Sequence, residues 1–103
     1  MIVRIWTGEA LDENADDYRK HFREVLMPKL RAIDGFISAE ALERVVRNRI
    51  EFVIITRWDN IDAIRTFAGH HEERAAIEPD ILDGLERFDK TAKHFVQVAE
   101  ERR

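Results

Sequence analysis

Few side chains in this sequence are suited to chemistry. Of its 103 residues, four are histidine (His21, His70, His71 and His94), one is tyrosine (Tyr18) and none is cysteine. Thiol nucleophiles, thiolate metal sites and iron–sulfur clusters are therefore out of the question. Imidazole and phenol remain, and with them proton transfer near neutral pH. His94 is the leading candidate base. It precedes Phe95 on a segment that reads as a buried strand. A structural histidine, bonded to a carboxylate or a backbone carbonyl, is the competing reading. His70 and His71 directly follow Gly69. Helix neighbours point about 100° apart, so only one of the two could face a cavity. No HExxH spacing is present, and His70 with Glu73 lacks an evident third ligand, so no metal site is expected. His21 falls on the polar side of its helix by spacing and reads as exposed, whereas Tyr18 falls on the inward side.

Hydrophobic periodicity supplies the elements that would position these groups. Ile2 to Gly8 reads as a strand. Asn14 is a candidate N-cap, with Asp16 and Asp17 in the first turn, where the helix dipole favours acids. Tyr18, Phe22, Val25, Leu26, Leu30 and Ile33 then recur with helical period. Pro28 cannot donate to the Glu24 carbonyl and should kink this helix, and Asp34-Gly35 ends it. Phe36 to Val46 and Ile50 to Trp58 read as an antiparallel hairpin turning through Arg47-Asn48-Arg49. In its second strand Phe52, Ile54, Thr56 and Trp58 share one face, and Glu51, Val53, Ile55 and Arg57 the other. Strand parity alone leaves open whether Phe52, Trp58 and Trp6 wall a pocket or build a dimer core. Asp59 or Asn60 caps a second helix with Ile61, Ile64, Phe67 and Ala68 inward. A helical piece from His70 to Ile77, a further turn through Ile81, Leu82 and Leu85, and a strand from about Lys90 to Ala99 complete the chain.

This order, β-α-β-β-α-β, predicts one α+β domain over residues 1–103: a ferredoxin-like four-stranded antiparallel sheet with helices on one face. The other face would be apolar and bare, which points to a homodimer with two sheets packed together. Net charge is −4 and the basic residues are scattered among acids, so no nucleic-acid partner is expected. No apolar run reaches the length of a membrane span or a signal peptide. A cytoplasmic location is the expectation.

Beyond periodicity, the sequence resembles the antibiotic biosynthesis monooxygenase domain family. The likeness is carried by Trp58 with Ala63-Ile64-Arg65-x-Phe67-Ala68-Gly69, by Ala75-Ala76 and Pro79-Asp80, by His94-Phe95, and by Arg4-Ile5-Trp6-x-Gly8 with Tyr18. It spans nearly the whole chain. The resemblance implies a dimeric α/β barrel with a cavity between sheet and helices. It also implies a monooxygenase that oxidises an aromatic or quinol-like molecule with oxygen and no cofactor. His94 would serve as base or orienter, and Tyr18, Phe22, Trp58, Phe67 and His70 would contact the substrate. A haem-degrading branch departs at its key positions: by count its iron-binding His falls at Ile77 and its pocket Trp at Phe67. The aromatic-oxidising branch carries an Asn where this chain has Ile54. That difference favours an alternative, a non-catalytic dimer that binds a small ligand or serves a structural role.

Overall fold

The computed structural model describes residues 1–77, 81 and 84–103. A five-stranded antiparallel sheet forms its base. The strands are β1 (Ile2–Leu11), β2 (Phe36–Val46), β3 (Arg49–Trp58), β4 (Arg87–Phe88) and β5 (Lys93–Val96), in the order β2-β3-β1, with β4 and β5 sharing the far edge of β1. The helices are α1 (Ala15–His21), α2 (Met27–Arg31) and α3 (Ile61–Ala68). This is the expected α+β ferredoxin-like arrangement, apart from its far edge, where two short strands stand in place of one.

β1 and β3 pair along their whole lengths, from Ile2↔Trp58 to Leu11↔Arg49, so β1 runs three residues beyond its expected end at Gly8. Because strand side chains alternate, one register sets the whole inner face. Arg4, Trp6, Gly8 and Ala10 stand beside Thr56, Ile54, Phe52 and Ile50, and all are buried. Trp58 completes that face with no exposed surface. The parity question is thereby answered: Trp6, Phe52 and Trp58 look toward the helices. Only Arg47 and Asn48 link β2 to β3, and Arg49 already pairs with Val46. Arg47 takes a φ of 60° to close that two-residue turn, a conformation that hairpins usually give to Gly or Asn.

The first helical segment departs from a plain α-helix. Between α1 and α2 lies a π-helical turn, Phe22–Leu26, closed by the Met27 N–H bonding to the Phe22 carbonyl. The wide turn sits where Pro28 would leave the Glu24 carbonyl without its donor. A wide turn advances less per residue than an α-turn. Leu26 and Leu30 therefore stay on the buried face while Val25, expected inward, is 43% exposed. The Asn14 side chain makes no capping bond. Asn60 does cap α3, its Oδ1 accepting from the Ala63 N–H at 2.9 Å.

Two further expectations are corrected. No helix forms from His70 to Ile77: Gly69, at φ 87°, ends α3, and bends and turns follow. Of the strand expected from Lys90 to Ala99 only Lys93–Val96 forms, as β5, and a short strand that was not expected, β4, precedes it at Arg87–Phe88. Lys90–Ala92 bonds elsewhere, with the Lys90 carbonyl accepting from Ala75 N–H and Ala92 N–H donating to the Glu73 carbonyl. Leu82 and the Pro79-Asp80 pair lie outside the described residues. Among the described residues no helix is long and apolar enough to cross a membrane.

Candidate active site

A cavity of about 40 Å³ lies between the inner face of the sheet and the helices. β1 contributes Arg4 and Trp6, β3 Ile54 and Thr56, and α1 Tyr18 and His21. Leu26 of the π-turn, Phe67 of α3, and Ala76, Ile77 and Ile81 beyond α3 close it. Most of this wall is apolar. Its polar groups are one guanidinium, one imidazole, one phenol and one hydroxyl.

The guanidinium has the most unusual setting. Arg4 is only 4% exposed. Its Nη1 donates to the Glu72 carbonyl and lies 2.9 Å from His94 Nε2, and its Nη2 donates to the Arg74 carbonyl at 2.6 Å. Its charge also sits 5.7 Å from the centre of the Phe67 ring, within cation–π range. Burial pulls its pKa down to about 10, with Glu73 opposing through space. Arg4 therefore stays charged at neutral pH.

His94 stands directly behind Arg4, its cross-strand neighbour in the β1–β5 pairing. An arginine can only donate, so His94 Nε2 must accept, and the ring is neutral with its proton on Nδ1. Burial, and then the Arg4 charge, hold its pKa below the usual histidine value, with Glu73 and Glu72 opposing. His94 is not on the cavity wall. Its lone pair is spent on orienting Arg4.

Tyr18 lines the cavity, with its ring 4.7 Å from Phe52 and 6.2 Å from Trp6. Burial pushes its hydroxyl pKa well above the usual tyrosine value, so the phenol stays protonated. His21, expected to be exposed, is 9% exposed and lines the same cavity. Its ring lies 6.2 Å from that of Tyr18, one helical turn earlier. The Trp6 ring is held by its Nε1–H donating to the Asp89 carbonyl at 2.7 Å, and it lies across Gly8.

The other sequence candidates are placed less directly. Phe67 lines the cavity and stacks at 5.9 Å on Trp58. Trp58 lies behind the wall and donates from Nε1 to Thr56 Oγ1 at 2.8 Å, which fixes that hydroxyl. Phe22 borders a separate surface depression, beside the Arg19–Glu43 ion pair. His70 and His71 are exposed and apart from the cavity. Among the described residues no group of three His, Cys, Asp or Glu is placed to hold a metal.

Arg4 and His21 are the functional candidates that sequence reasoning missed. Arg4 had a readable signal: it interrupts a β-branched run in phase with Trp6, so both must share a face.

The model of the antibiotic biosynthesis monooxygenase family matches residues 1–79. Among solved structures, the chain is similar to a Bacillus cereus protein assigned as an antibiotic biosynthesis monooxygenase, with a TM-score of 0.68 and 17% identity over 99% of this chain and 97% of that one. It is also similar to a point mutant of MhuD with two manganese protoporphyrin IX bound per active site (TM-score 0.65, 18% identity, 99% of each chain). A third likeness is to the monooxygenase ActVA-Orf6 of Streptomyces coelicolor in complex with nanaomycin D (TM-score 0.59, 16% identity, 98% of this chain and 88% of that one). At these identities the likeness is one of fold. No curated protein matches the chain.

Proposed function

The chain belongs to the antibiotic biosynthesis monooxygenase family, and from that premise we propose that it oxidises a small aromatic or quinol-like molecule with molecular oxygen, using no metal or flavin. One observation carries this reading: an aromatic-walled apolar cavity has a guanidinium and an imidazole set in its wall. Direct oxygenation needs an electron-rich substrate anion, a proton acceptor, and a positive charge near the oxyanion. In this scheme His21 accepts the proton and Arg4 stabilises the anion, a reading supported by the presence of both in the cavity wall. The anion passes an electron to oxygen, the substrate radical and superoxide combine to a peroxide anion, and the proton held by His21 returns to give the hydroperoxide. Loss of water, with cleavage of the O–O bond and the remaining C–H bond, leaves the ketone. For 1-naphthol the sum is C10H8O + O2 → C10H6O2 + H2O. His94 serves in this scheme as a positioning residue for Arg4, and Trp6, Tyr18 and Phe67 as the walls.

The volume of about 40 Å³ suits a few waters rather than a ring, since a dry cavity of about 150 Å³ is needed for one benzene. A substrate ring therefore requires outward displacement of the Ala76–Ile77 wall. Haem does not fit: Ile77 has no ligating atom, and a macrocycle far exceeds the space. The same small volume favours the second reading, a non-catalytic ligand-binding or structural dimer.

Either reading includes a homodimer. The outer sheet face carries Val3, Ile5, Val53 and Ile55, flanked by Leu42 and Phe95, each 49% exposed. A patch of this kind on a small protein is characteristic of an interface.

Oxygen-electrode measurements with 1-naphthol test the oxygenase reading. Uptake of one O2 per quinone formed, lost in Arg4→Met and His21→Gln, is the expected result. No uptake above buffer, with 1-naphthol bound, would establish the non-catalytic reading.

A further inference from the structure

We infer that Arg4 forms an anion site in the resting protein, so that the cavity holds an aromatic ligand in its form ionised at oxygen. This rests on reading the cavity as the ligand site, and it goes on to name the ligand's charge.

The acceptors around Arg4 are all neutral. They are the carbonyls of Glu72 and Arg74 and the lone pair of His94 Nε2. The nearby carboxylates are otherwise placed. That of Glu72 pairs with Arg65 Nε at 3.5 Å, so only the main chain of Glu72 meets Arg4. Glu73 acts on Arg4 and His94 through space, without a contact. Among the described residues no carboxylate forms an ion pair with Arg4. A guanidinium carries five N–H groups, and three are used. One N–H on Nη2 and that of Nε keep no partner among the described residues, on a side chain that lines the cavity.

A buried cation without its counter-ion is costly to the fold. Other arginines in this chain are matched to acids: Arg19 to Glu43, Arg44 to Glu51, Arg57 to Glu40. All three pairs lie at the surface, where they contribute little. Arginines without an acid partner among the described residues, such as Arg23, Arg31 and Arg47, are otherwise exposed to water, and Arg4 is the one that is deeply buried. An anion entering the cavity would supply the missing charge and take the open N–H edge in charge-assisted hydrogen bonds. The apolar remainder of the wall suits a ring once the Ala76–Ile77 wall is displaced to admit it. Together these features select an aromatic oxyanion, a phenolate, an enolate or a carboxylate, over a neutral quinol.

The test uses the full chain under anaerobic conditions with three matched probes: 4-nitrophenol, its methyl ether 4-nitroanisole, and 4-nitrobenzoate. At a pH below the phenol's own pKa, adding wild-type protein to 4-nitrophenol should raise the yellow phenolate absorbance. Arg4→Met should abolish that rise. In the wild type alone, the phenolate should bind about tenfold or more tighter than 4-nitroanisole, the ratio expected of a charge-assisted hydrogen bond. That comparison stands whether or not the variant folds. Tighter binding of 4-nitrobenzoate than of 4-nitrophenolate would assign the site to carboxylates, and the reverse to phenolates. Equal binding of the ether, uptake of the phenol without ionisation, or no binding by any probe would overturn the anion site. Oxygen uptake is scored separately. Phenolate binding without turnover keeps the anion site and removes the oxygenase, and turnover of 1-naphthol without selection for the ionised form does the opposite.

Discussion

Replacing Gly8 by alanine sets two physical effects against each other. Gly8 sits inside β1, and backbone propensity alone says that alanine in a strand interior should gain about 0.5–1 kcal/mol. The structure predicts the opposite sign. A Cβ on Gly8 would lie 2.5 Å from Trp6 Cη2 and 3.1 Å from both Cζ2 and Cζ3. Ordinary contact begins near 3.4 Å, so the ring must move by about 1 Å. It cannot do so freely, because its Nε1–H is bonded to the Asp89 carbonyl at 2.7 Å and its face packs on Tyr18. Overpacking of this kind costs about 1–3 kcal/mol. The net expectation is a loss of about 1–2 kcal/mol, and a melting temperature lower by roughly 4–15 °C at fixed protein concentration. Urea unfolding gives the free energy. The emission of the two tryptophans should also shift, because Trp6 moves and Trp58 does not. A Gly8→Ala variant as stable as the wild type, or more so, would show that the Trp6 ring is not held across Gly8.

Three further outcomes are expected. Trp58→Ala should cost about 3–5 kcal/mol in urea unfolding, since it empties the most buried aromatic position and strands the Thr56 hydroxyl, and a loss under about 1 kcal/mol would contradict its place in the core. The native state holds His94 below the ordinary histidine value of 6.5, so the unfolded chain binds that proton more readily. Stability should therefore fall as pH drops below 6.5, levelling once native His94 is itself protonated. His94→Gln, which keeps an acceptor for Arg4, should flatten that fall, and an identical pH slope in both proteins would disprove the assignment. Ile55→Glu places a charge on the outer sheet face opposite Ile5, and sedimentation should report a monomer for this variant against a dimer for the wild type.

Most of the scaffold is legible in the residues because strand and helix periods are written in side-chain type. Phe36–Val46, the β3 strand and α3 all stand where alternation, hairpin length and the Asn60 cap put them. The candidate site is less legible, for two reasons. Extrapolating a regular 3.6-residue period through Phe22–Leu26 turns His21 outward and Val25 inward, whereas the π-turn reverses both. The role of His94 depends on a partner that is distant in sequence. Nothing near position 94 reports that Arg4 lies 2.9 Å away and takes up its lone pair. The shortening of the last strand is hidden for a similar reason, because the groups that capture Lys90–Ala92 belong to Glu73 and Ala75.

The π-turn also makes this helix respond unequally to gain and loss of residues. Deleting one exposed residue from it, Arg23 or Glu24, would let the backbone close as a continuous α-helix. The wide turn has already absorbed one extra residue, so its loss would leave the two sides nearly in their present register, with Tyr18 and His21 still facing the cavity. A further residue added to the same helix has no such slack and would rotate one side by about 100° against the other. With Leu26 and Leu30 anchored in the core, that rotation falls on α1 and carries Tyr18 and His21 off the cavity. The chemistry of this wall is therefore tolerant of a deletion here and sensitive to an insertion, with no substitution at either residue.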